Sequence, residues 1–341
     1  MKAAVWYKAR DVRVEDVPSS APGPGEVAVA VAYCGICGSD LHEYADGPHA
    51  IPVGAPHPES GRQAPLTLGH EFSGTVTEIG PGVTGFSPGD RVAVEPHYRC
   101  GDCARCRAGE YNLCRHFGFA GLMGDGGLAE RAVVPSYMLH RLPDGVSLEQ
   151  AALFEPAAVA LHSIRRSGLR DGESVAVVGL GPIGLLVVQL AARYGAGRIV
   201  AADPSGTRRD LALRLGATEV VDAGGLPAGD ADVAFEAVGT EGTLRDCLAA
   251  SRRGGRVVLL GLGGTFAFDA FALVNNEQSI IGTVGYRGVH PELIRLVAEE
   301  GMDFTPIVTS TVPLAAVVRD GFETLLDTGS PKEEIKVLVR P

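Results

Sequence analysis

The sequence has little positive charge and no basic run, which bears first on the partners it can bind. Among its 341 residues, 30 are lysine or arginine and 41 are aspartate or glutamate, so the formal net charge at pH 7 is −11. Nucleic acids and anionic membranes attract clustered positive charge, and an acidic chain without a basic stripe binds either poorly. We therefore expect no nucleic-acid or membrane partner, and the acidity is otherwise typical of a soluble protein.

A signal peptide and a membrane-spanning run are also lacking. The N-terminus, MKAAVWYKARDVRVEDV, has no uninterrupted apolar stretch and no small-residue cleavage site. The longest apolar run without a charge, VAVVGLGPIGLLVVQLAA, contains glycines and a proline in a strand-turn-helix pattern, which indicates a nucleotide fold rather than a membrane span. We expect a cytoplasmic protein, in which clustered cysteines bind metal more often than they form disulfides.

The chain also has no internal repeat and no low-complexity tract, and its length indicates two domains. Up to residue 155, short strands between Gly/Pro turns predict a β-rich domain without a strong helical period. From 156 to 289, strands alternate with helices, one of them near TLRDCLAASRRGG, which is typical of a doubly wound parallel α/β sheet. Residues 290–341 hold two amphipathic helices, the second being LAAVVRDGFETLLDTG, and a final strand; they are predicted to complete the first domain.

A glycine-rich fingerprint follows the first strand of the second region. It reads Gly179-Leu180-Gly181-Pro182-Ile183-Gly184. In a dinucleotide fold the first glycine allows the turn, the second lets the backbone approach a pyrophosphate, and the third lets helix pack on strand. The positive end of the helix dipole then faces the phosphates. The strand before it and the helix after it favour this reading over a simple turn.

The acidic residue expected about twenty positions after such a fingerprint is present. Asp203 ends the next strand, where a carboxylate accepts hydrogen bonds from the ribose hydroxyls and repels a 2′-phosphate. This favours NAD over NADP. Arg208 and Arg209 follow closely and weaken that exclusion, so Arg208 is retained as a cofactor-binding candidate.

Four of the seven cysteines crowd into one short segment. Cys100, Cys103, Cys106 and Cys114 follow C-x2-C-x2-C-x7-C. Four thiolates at this spacing can close a tetrahedron around one zinc ion without an open position, which makes a structural site. Reduced thiols, disulfides and an iron–sulfur cluster are the alternatives, and the spacing differs from that of ferredoxins.

Other metal-ligating residues are too far apart for spacing alone to unite them. Cys37 follows a strand in CGICGSDLHEY, His70 lies in Gly-His-Glu before another strand, and Glu155 lies in Phe-Glu-Pro where the two regions meet. Alone, His70 reads more readily as a hydrogen-bonded core histidine. Together with the Gly-Asp-Arg-Val turn, the cysteine lobe and the fingerprint, however, these motifs resemble the zinc-containing medium-chain dehydrogenase/reductase family along essentially the whole chain.

The resemblance implies a GroES-like β-barrel catalytic domain, a Rossmann NAD domain, and two zinc ions per chain. Cys37, His70 and Glu155 would hold the catalytic zinc, with water, substrate or Glu71 completing its shell and with Glu155 the least secure ligand. Asp40 would orient a ligand. Ser39 and His42 would pass the alcohol proton to solvent by way of the nicotinamide ribose, although a surface-loop histidine is the alternative for His42.

Within the family, the chain most resembles the 2,3-butanediol dehydrogenases, with sorbitol and threonine dehydrogenases next. The stretches that carry this are CGICGSDLHEY, GPHAIPVGAPHP, PLTLGHEFSGTV, EYNLCRHFGFAGL and VTSTVPLAAVVRDGFETLL. It implies NAD-linked oxidation of a secondary alcohol to a ketone, with 2,3-butanediol and acetoin first, and a homodimer or homotetramer. Two rival functions are a zinc-free enone or quinone reductase of the same fold and a zinc-ribbon nucleic-acid binder.

The remaining candidates receive structural interpretations. Cys34, Cys247 and His162 are expected to be buried structural residues. Arg62 is the basic residue in the loop before His70 and is not placed in a pocket. Ile51, Pro52 and Val53 are apolar and could line a substrate pocket or simply pack on the barrel.

Overall fold

A computed structural model describes residues 1–327 and 334–341 of the chain. The strands are β1 Lys2–Lys8, β2 Asp11–Asp16, β3 Glu26–Gly35, β4 Leu66–Thr67, β5 Glu71–Ile79, β6 Arg91–Val94, β7 His97–Tyr98, β8 Gly118–Phe119, β9 Arg131–Pro135, β10 Leu139–Arg141, β11 Ser174–Val178, β12 Arg198–Ala202, β13 Glu219–Val221, β14 Ala231–Glu236, β15 Ser251–Leu259, β16 Ser279–Gly282, β17 Val308–Pro313 and β18 Lys336–Arg340. The α-helices are α1 Gly38–Asp46, α2 Ala104–Arg107, α3 Leu148–Ala152, α4 Phe154–Ser167, α5 Pro182–Arg193, α6 Gly206–Arg214, α7 Glu241–Ala250, α8 Ala270–Asn275, α9 His290–Ala298 and α10 Thr324–Leu326.

The described residues divide by their contacts into two compact units. Unit 1 comprises residues 1–155, 290–327 and 336–341, and unit 2 comprises residues 156–289 with 334–335. No helix among the described residues is both long and apolar enough to cross a membrane.

Unit 2 is built on one parallel sheet with the strand order β13-β12-β11-β14-β15-β16. Numbered within the unit, this is 3-2-1-4-5-6, the order of a doubly wound dinucleotide fold. The central strands are continuous apolar runs such as Val175–Val178, because helices cover both faces of such a sheet. The predicted α/β class is confirmed, and Cys247 lies buried in α7 within the core of this unit.

Unit 1 is built around strand β3, which pairs with β5, β9 and β18 in a seven-stranded sheet. Its pairings are antiparallel except for β17 with β18. The core beneath this sheet includes Trp6, Phe72 and Val337, each at most 1% exposed. The C-terminal strand β18 therefore completes the sheet formed by the first 155 residues.

Three elements differ from the sequence-based expectation. Helix α1 was not expected in the β-rich region; its N-cap is Cys37, where the Asp40 side chain accepts the Cys37 N–H and closes a capping box. Helix α7 ends at Ala250 rather than near Gly255, because β15 already begins at Ser251, with a bulge in its pairing to β14.

The last predicted helix, over 314–329, is irregular as far as it lies inside the described residues. It runs as a 3₁₀ turn at Leu314–Ala316, a π-helix at Val317–Glu323 and then α10. A Cβ on Gly321 would lie 2.6 Å from Cδ1 of Ile36, so this helix approaches unit 1's core too closely for any other residue there.

Candidate metal centres and dinucleotide site

Helix α1 and strand β5 bring one cysteine, one histidine and one glutamate together. Cys37 precedes α1, His70 precedes β5, and Glu71 is the first residue of β5. One ligand atom from each of these three side chains lies within 4.8 Å of the others. His70 and Glu71 are buried, whereas Cys37 is partly accessible. Sulfur, nitrogen and carboxylate oxygen at this separation form a donor set that suits zinc and leaves a position open.

Asp40 fixes two members of this group. Its carboxylate is fully buried; Oδ2 accepts the Cys37 N–H at 2.9 Å, and Oδ1 lies 3.6 Å from Nδ1 of His70. Burial alone would lower the pKa of His70, but the Asp40 carboxylate and the Cys37 thiol raise that pKa well above its usual value. The surroundings of His70 therefore favour a positive charge at this point, whether a proton or a metal ion supplies it.

Ser39 and His42 both lie on α1 but differ in position. Ser39 Oγ is 3.3 Å from Nε2 of His70, so the serine hydroxyl is at the group. His42 lies one turn further along α1 and is exposed. The route of the proton through Ser39 and His42 stays a prediction.

A buried lysine next to this group was missed by the sequence reasoning. Nζ of Lys336, on β18, forms an ion pair with Oε2 of Glu71, and both side chains are 1% exposed. The same Nζ donates to the Ile36 carbonyl at 2.9 Å. Gly35 leaves the necessary room, because a Cβ there would collide with Glu71 Oε2 and lie 3.0 Å from Lys336 Cε. The available signal was a lysine inside the otherwise apolar strand of Glu-Ile-Lys-Val-Leu-Val.

Glu155 is placed near this group but not within it. It is the second residue of α4 and is 4% exposed. It is not among the three side chains whose ligand atoms lie within 4.8 Å of one another. Its negative charge helps to raise the pKa of Lys336. Glu71, rather than Glu155, is thus the carboxylate that forms a donor set with Cys37 and His70.

The four-cysteine lobe forms a compact thiol cluster around the short helix α2, with all four sulfurs within 4.8 Å of one another. The Cys100 sulfur lies 3.5 Å from that of Cys114 and 3.9 Å from that of Cys106. A tetrahedron with Zn–S bonds of about 2.3 Å has sulfurs about 3.8 Å apart, whereas a disulfide needs about 2.05 Å. All seven cysteines are free thiols, so the donor set fits zinc.

Backbone N–H groups in the lobe point at its sulfurs. The N–H of Cys103 donates to the Cys100 sulfur and that of Cys106 to the Cys103 sulfur, each at 3.4 Å. The latter bond is the main reason why the pKa of Cys103 is lowered to about 6, and it stabilises the thiolate that a metal requires. The turns of the lobe therefore orient backbone N–H groups that stabilise the thiolates, and a cation can bind to these sulfurs.

A third group of potential ligands, formed by Glu95, His140 and His290, was also missed. Nε2 of His140 lies 2.8 Å from Oε2 of Glu95, and the His140 and His290 rings stack at 4.5 Å with an interplanar angle of 8°. Ring nitrogens bind a metal in the plane of the ring, and two stacked rings have no common in-plane position. The group therefore forms a buried hydrogen-bond network around Glu95, in which hydrogen bonds from His140 and His97 lower the pKa of Glu95 despite its burial, while burial lowers the pKa of His290 to about 3.

In unit 2, the fingerprint has the geometry that a dinucleotide requires. Gly179 has φ +90°, a Cβ on Gly184 would collide with the Gly179 carbonyl, and Pro182 is the first residue of α5. Gly181 is the N-cap, and a Cβ there would meet no atom within 4 Å. The space above the helix N-terminus is thus open, as a pyrophosphate needs. Ile183 lies in the first turn of the same helix.

Asp203 lies beside this turn and is 6% exposed. Its Oδ2 accepts the Leu180 N–H and its Oδ1 accepts the Ser205 N–H, both at 2.8 Å. Arg208 donates to the Glu334 carbonyl at 3.0 Å, and Arg209 donates to the Asp203 carbonyl at 2.5 Å. Both arginines are therefore engaged with protein groups, and the negative charge at the end of β12 remains.

The candidate pocket residues differ in their exposure to solvent. Ile51 is 4% exposed and packs in the core of unit 1, whereas Val53 is 57% exposed. Arg62 forms an ion pair with Asp125 at 3.2 Å. Cys34 and His162 are buried, as expected, at 0% and 5%.

Known protein families and relatives match most of the chain. The family model described as an alcohol dehydrogenase GroES-like domain matches residues 23–144, and that described as a zinc-binding dehydrogenase matches residues 182–299. An (R,R)-butanediol dehydrogenase of Bacillus subtilis (strain 168) is 39% identical, with 100% of each chain covered. A sorbitol dehydrogenase of the same strain is 34% identical, covering 100% of this chain and 97% of the relative.

Solved structures are similar over the whole chain as well. The crystal structure of 2R,3R-butanediol dehydrogenase from Bacillus subtilis has a TM-score of 0.92 at 39% identity, with 100% of this chain and 99% of that chain covered. A zinc-binding dehydrogenase from Sinorhizobium meliloti 1021 bound to NADP has a TM-score of 0.89 at 32% identity, with the same coverage.

Proposed function

The chain belongs to the zinc-binding alcohol dehydrogenase family, and on that premise we propose that it oxidises a small secondary alcohol to a ketone with NAD at a zinc ion held by Cys37 and His70. The observation that carries the proposal is the difference between the two donor sets. The lobe offers four thiols, which close a tetrahedron, whereas the other set offers one thiol, one imidazole and one carboxylate already paired with Lys336. A donor set that fills all four coordination positions suits a structural zinc ion, whereas a set that leaves one position free for substrate suits a catalytic zinc ion.

A zinc ion in the open set would supply a Lewis acid that lowers the pKa of the alcohol hydroxyl, and NAD would accept the hydride. The protein contributes orientation. Asp40 faces Nδ1 of His70, which leaves Nε2 as the ligand atom. Lys336 balances the charge of Glu71, so this carboxylate can stay beside the metal without surplus negative charge. Glu155 lies outside the set and would bind the ion directly or through water.

The proton follows a route along α1. Ser39 Oγ lies 3.3 Å from Nε2 of His70, the atom that would hold the zinc, so an alcohol bound at this site could pass its proton to the serine hydroxyl. His42 is exposed on the same helix and can release the proton to water. The nicotinamide ribose would bridge the two.

For the cofactor we favour NAD. Asp203 lies beside the fingerprint, the position from which a carboxylate of this fold can bind the adenosine ribose, and its charge would repel a 2′-phosphate. Arg208 and Arg209, which follow in α6, are engaged with carbonyl groups of the protein. The NADP bound by the relative from Sinorhizobium meliloti shows that the family itself does not decide the choice.

The substrate is a vicinal diol or hydroxyketone, with 2,3-butanediol and acetoin first. Support comes from the butanediol dehydrogenase at 39% identity and from the carboxylate of Glu71 within the open donor set. A second hydroxyl of a diol can reach the zinc or Glu71 and so fix which carbon reacts. Threonine is less suited, since Arg62, the basic candidate for its carboxylate, is paired with Asp125. Sorbitol dehydrogenase at 34% identity keeps polyols as the alternative.

The chain associates with copies of itself through unit 2. Strand β16 is at the edge of the parallel sheet. Large apolar side chains near it are exposed, with Leu262 at 75%, Phe271 at 79% and Val274 at 72%. An open sheet edge next to exposed apolar side chains suits pairing with a second copy, giving a dimer or tetramer. The cytoplasm suits the seven free cysteines, because a reducing compartment preserves thiolates.

The deciding experiment compares kcat/KM for the butanediol stereoisomers, sorbitol, threonine and simple secondary alcohols with NAD. We expect a butanediol isomer to lead. If sorbitol or threonine exceeds every butanediol isomer by more than about tenfold, about 1.4 kcal/mol in the transition state, the butanediol assignment is wrong and the metal assignment is unaffected. The absence of activity with every alcohol would contradict the function itself.

A further inference from the structure

Helix α1 carries a buried carboxylate that the proposed reaction does not use. Glu43 follows His42 directly and is 1% exposed. Within residues 1–327 and 334–341, no lysine, arginine or histidine forms an ion pair with it. Its charge is met by backbone instead: the N–H groups of His49, Ala50 and Ile51 donate to its carboxylate at 3.0, 2.5 and 3.2 Å. Three N–H donors converging on a carboxylate are a strong and directional anchor.

This anchor fixes the loop of residues 47–51 against the helix. Gly47 is required, because a Cβ there would collide with the Glu43 carboxylate and lie 2.9 Å from Glu43 Cα. The indole of Trp6 donates to the Glu43 carbonyl at 2.8 Å. Ile51 closes the loop by packing into the core. The loop is therefore fixed at Gly47 by close contact with the helix, in its middle by the Glu43 carboxylate, and at Ile51 by packing in the core.

The anchored loop places His49 beside His42. The two rings lie 6.3 Å apart at 74°, and Nε2 of His49 is 2.9 Å from Oδ1 of Asp46. Asp46 is four residues after His42 on α1 and so shares its face. The hydrogen bond to Asp46, with a smaller contribution from Glu43, raises the pKa of His49, and Arg10 is the further charge that acts on Asp46.

We infer that Glu43 is a positioning residue for proton release: by holding the loop 47–51, it keeps the His49–Asp46 pair next to His42, and this pair receives the proton that His42 gives up. The step moves one proton and no electrons, from the imidazolium of His42 to His49 or, through it, to water. The inference rests on the proposed function, because it requires His42 to be the outer end of the proton route.

The test follows proton release with a pH-indicator dye in weak buffer during the first turnover of zinc-loaded enzyme with NAD and its best alcohol. Glu43→Gln and His49→Gln should each slow proton release about tenfold. This is less than the roughly 100-fold rate contribution of a fully positioned proton-transfer group, because water partly replaces an exposed imidazole. Added imidazole buffer should restore the rate. Glu26→Gln is the matched control, since Glu26 also accepts a backbone N–H, that of Gly23 at 2.9 Å, away from α1.

The possible outcomes distinguish a failure of this inference from a failure of the proposed function. If His42→Gln slows release but His49→Gln does not, the inference is wrong and the proton route stands. If imidazole fails to restore Glu43→Gln and His49→Gln, their role is only structural and the inference is wrong. If His42→Gln also leaves release unchanged, the proposed route itself is wrong. Should Glu43→Gln fail to fold, His49→Gln decides alone.

Discussion

Replacing Lys336 with methionine removes the cation that neutralises Glu71 while keeping the length of the side chain. Both partners are 1% exposed, so the variant leaves a carboxylate without its counter-ion in the core of unit 1. Breaking a buried pair by removing one partner costs about 3–5 kcal/mol. We expect the free energy of unfolding of unit 1 to fall by about this amount in Lys336→Met.

The double variant Lys336→Met/Glu71→Gln supplies the control. Without either charge the desolvation penalty disappears, so most of the lost stability should return. Urea unfolding can be followed by tryptophan fluorescence, because Trp6 is the chain's only tryptophan and lies in the same core at 1% exposure. A loss below about 1 kcal/mol in Lys336→Met, or a double variant no more stable than the single one, would refute the reasoning.

The pH dependence of this effect has a definite sign. Burial lowers the pKa of Lys336, but the charges of Glu71, Cys37 and Glu155 and the hydrogen bond to Glu71 together raise it more, so the pKa lies above its usual value of 10.5. A raised lysine pKa contributes stability that is complete below 10.5 and disappears as the pH rises through the folded-state pKa. The difference between the native chain and Lys336→Met should therefore stay constant from neutral pH to this point and shrink above it.

Three further changes test the other parts of the structure. Cys103→Ser should reduce the zinc content from two ions to one and lower the thermal unfolding temperature by about 5 °C or more, as elemental analysis and calorimetry would show; an unchanged zinc content would contradict the closed site. Asp203→Ala should raise KM for NAD about tenfold and improve the use of NADP, and steady-state kinetics that show a native preference for NADP would overturn the interpretation of Asp203. Phe271→Asp should dissociate the oligomer in sedimentation experiments, and an unchanged mass would exclude this surface as the interface.

Periodicity and motif spacing were sufficient to predict the parallel sheet of unit 2. Its strands are continuous apolar runs, and the helix after Gly184 has its proline at the first position, so local sequence and fold agree. Helix α1 was not predicted, because it is short and its start depends on the capping contact between Asp40 and the Cys37 backbone. A cap between neighbours on a helix of nine residues leaves little periodic signal.

The side chains around the candidate catalytic zinc were harder to predict than the ligands. Cys37 and His70 stand in recognisable motifs, but Lys336 lies 265 positions after Glu71 in sequence and meets it only because β18 pairs with β3 in the same sheet. Glu43 gave no signal either, since a carboxylate that accepts backbone N–H groups looks like any solvated helix residue in sequence. Such contacts depend on tertiary structure, which a single sequence does not reveal.

The central claim is that alcohol oxidation depends on zinc held by Cys37 and His70, separate from the zinc of the cysteine lobe. The most direct measurement follows NADH formation from a secondary alcohol while a chelator first removes the zinc ion that has fewer protein ligands and zinc is then restored. We predict that activity falls to background as the first equivalent leaves, returns on adding zinc, and never appears in a folded Cys37→Ser variant. Full activity in protein that retains only the lobe zinc, or in Cys37→Ser, would contradict the claim.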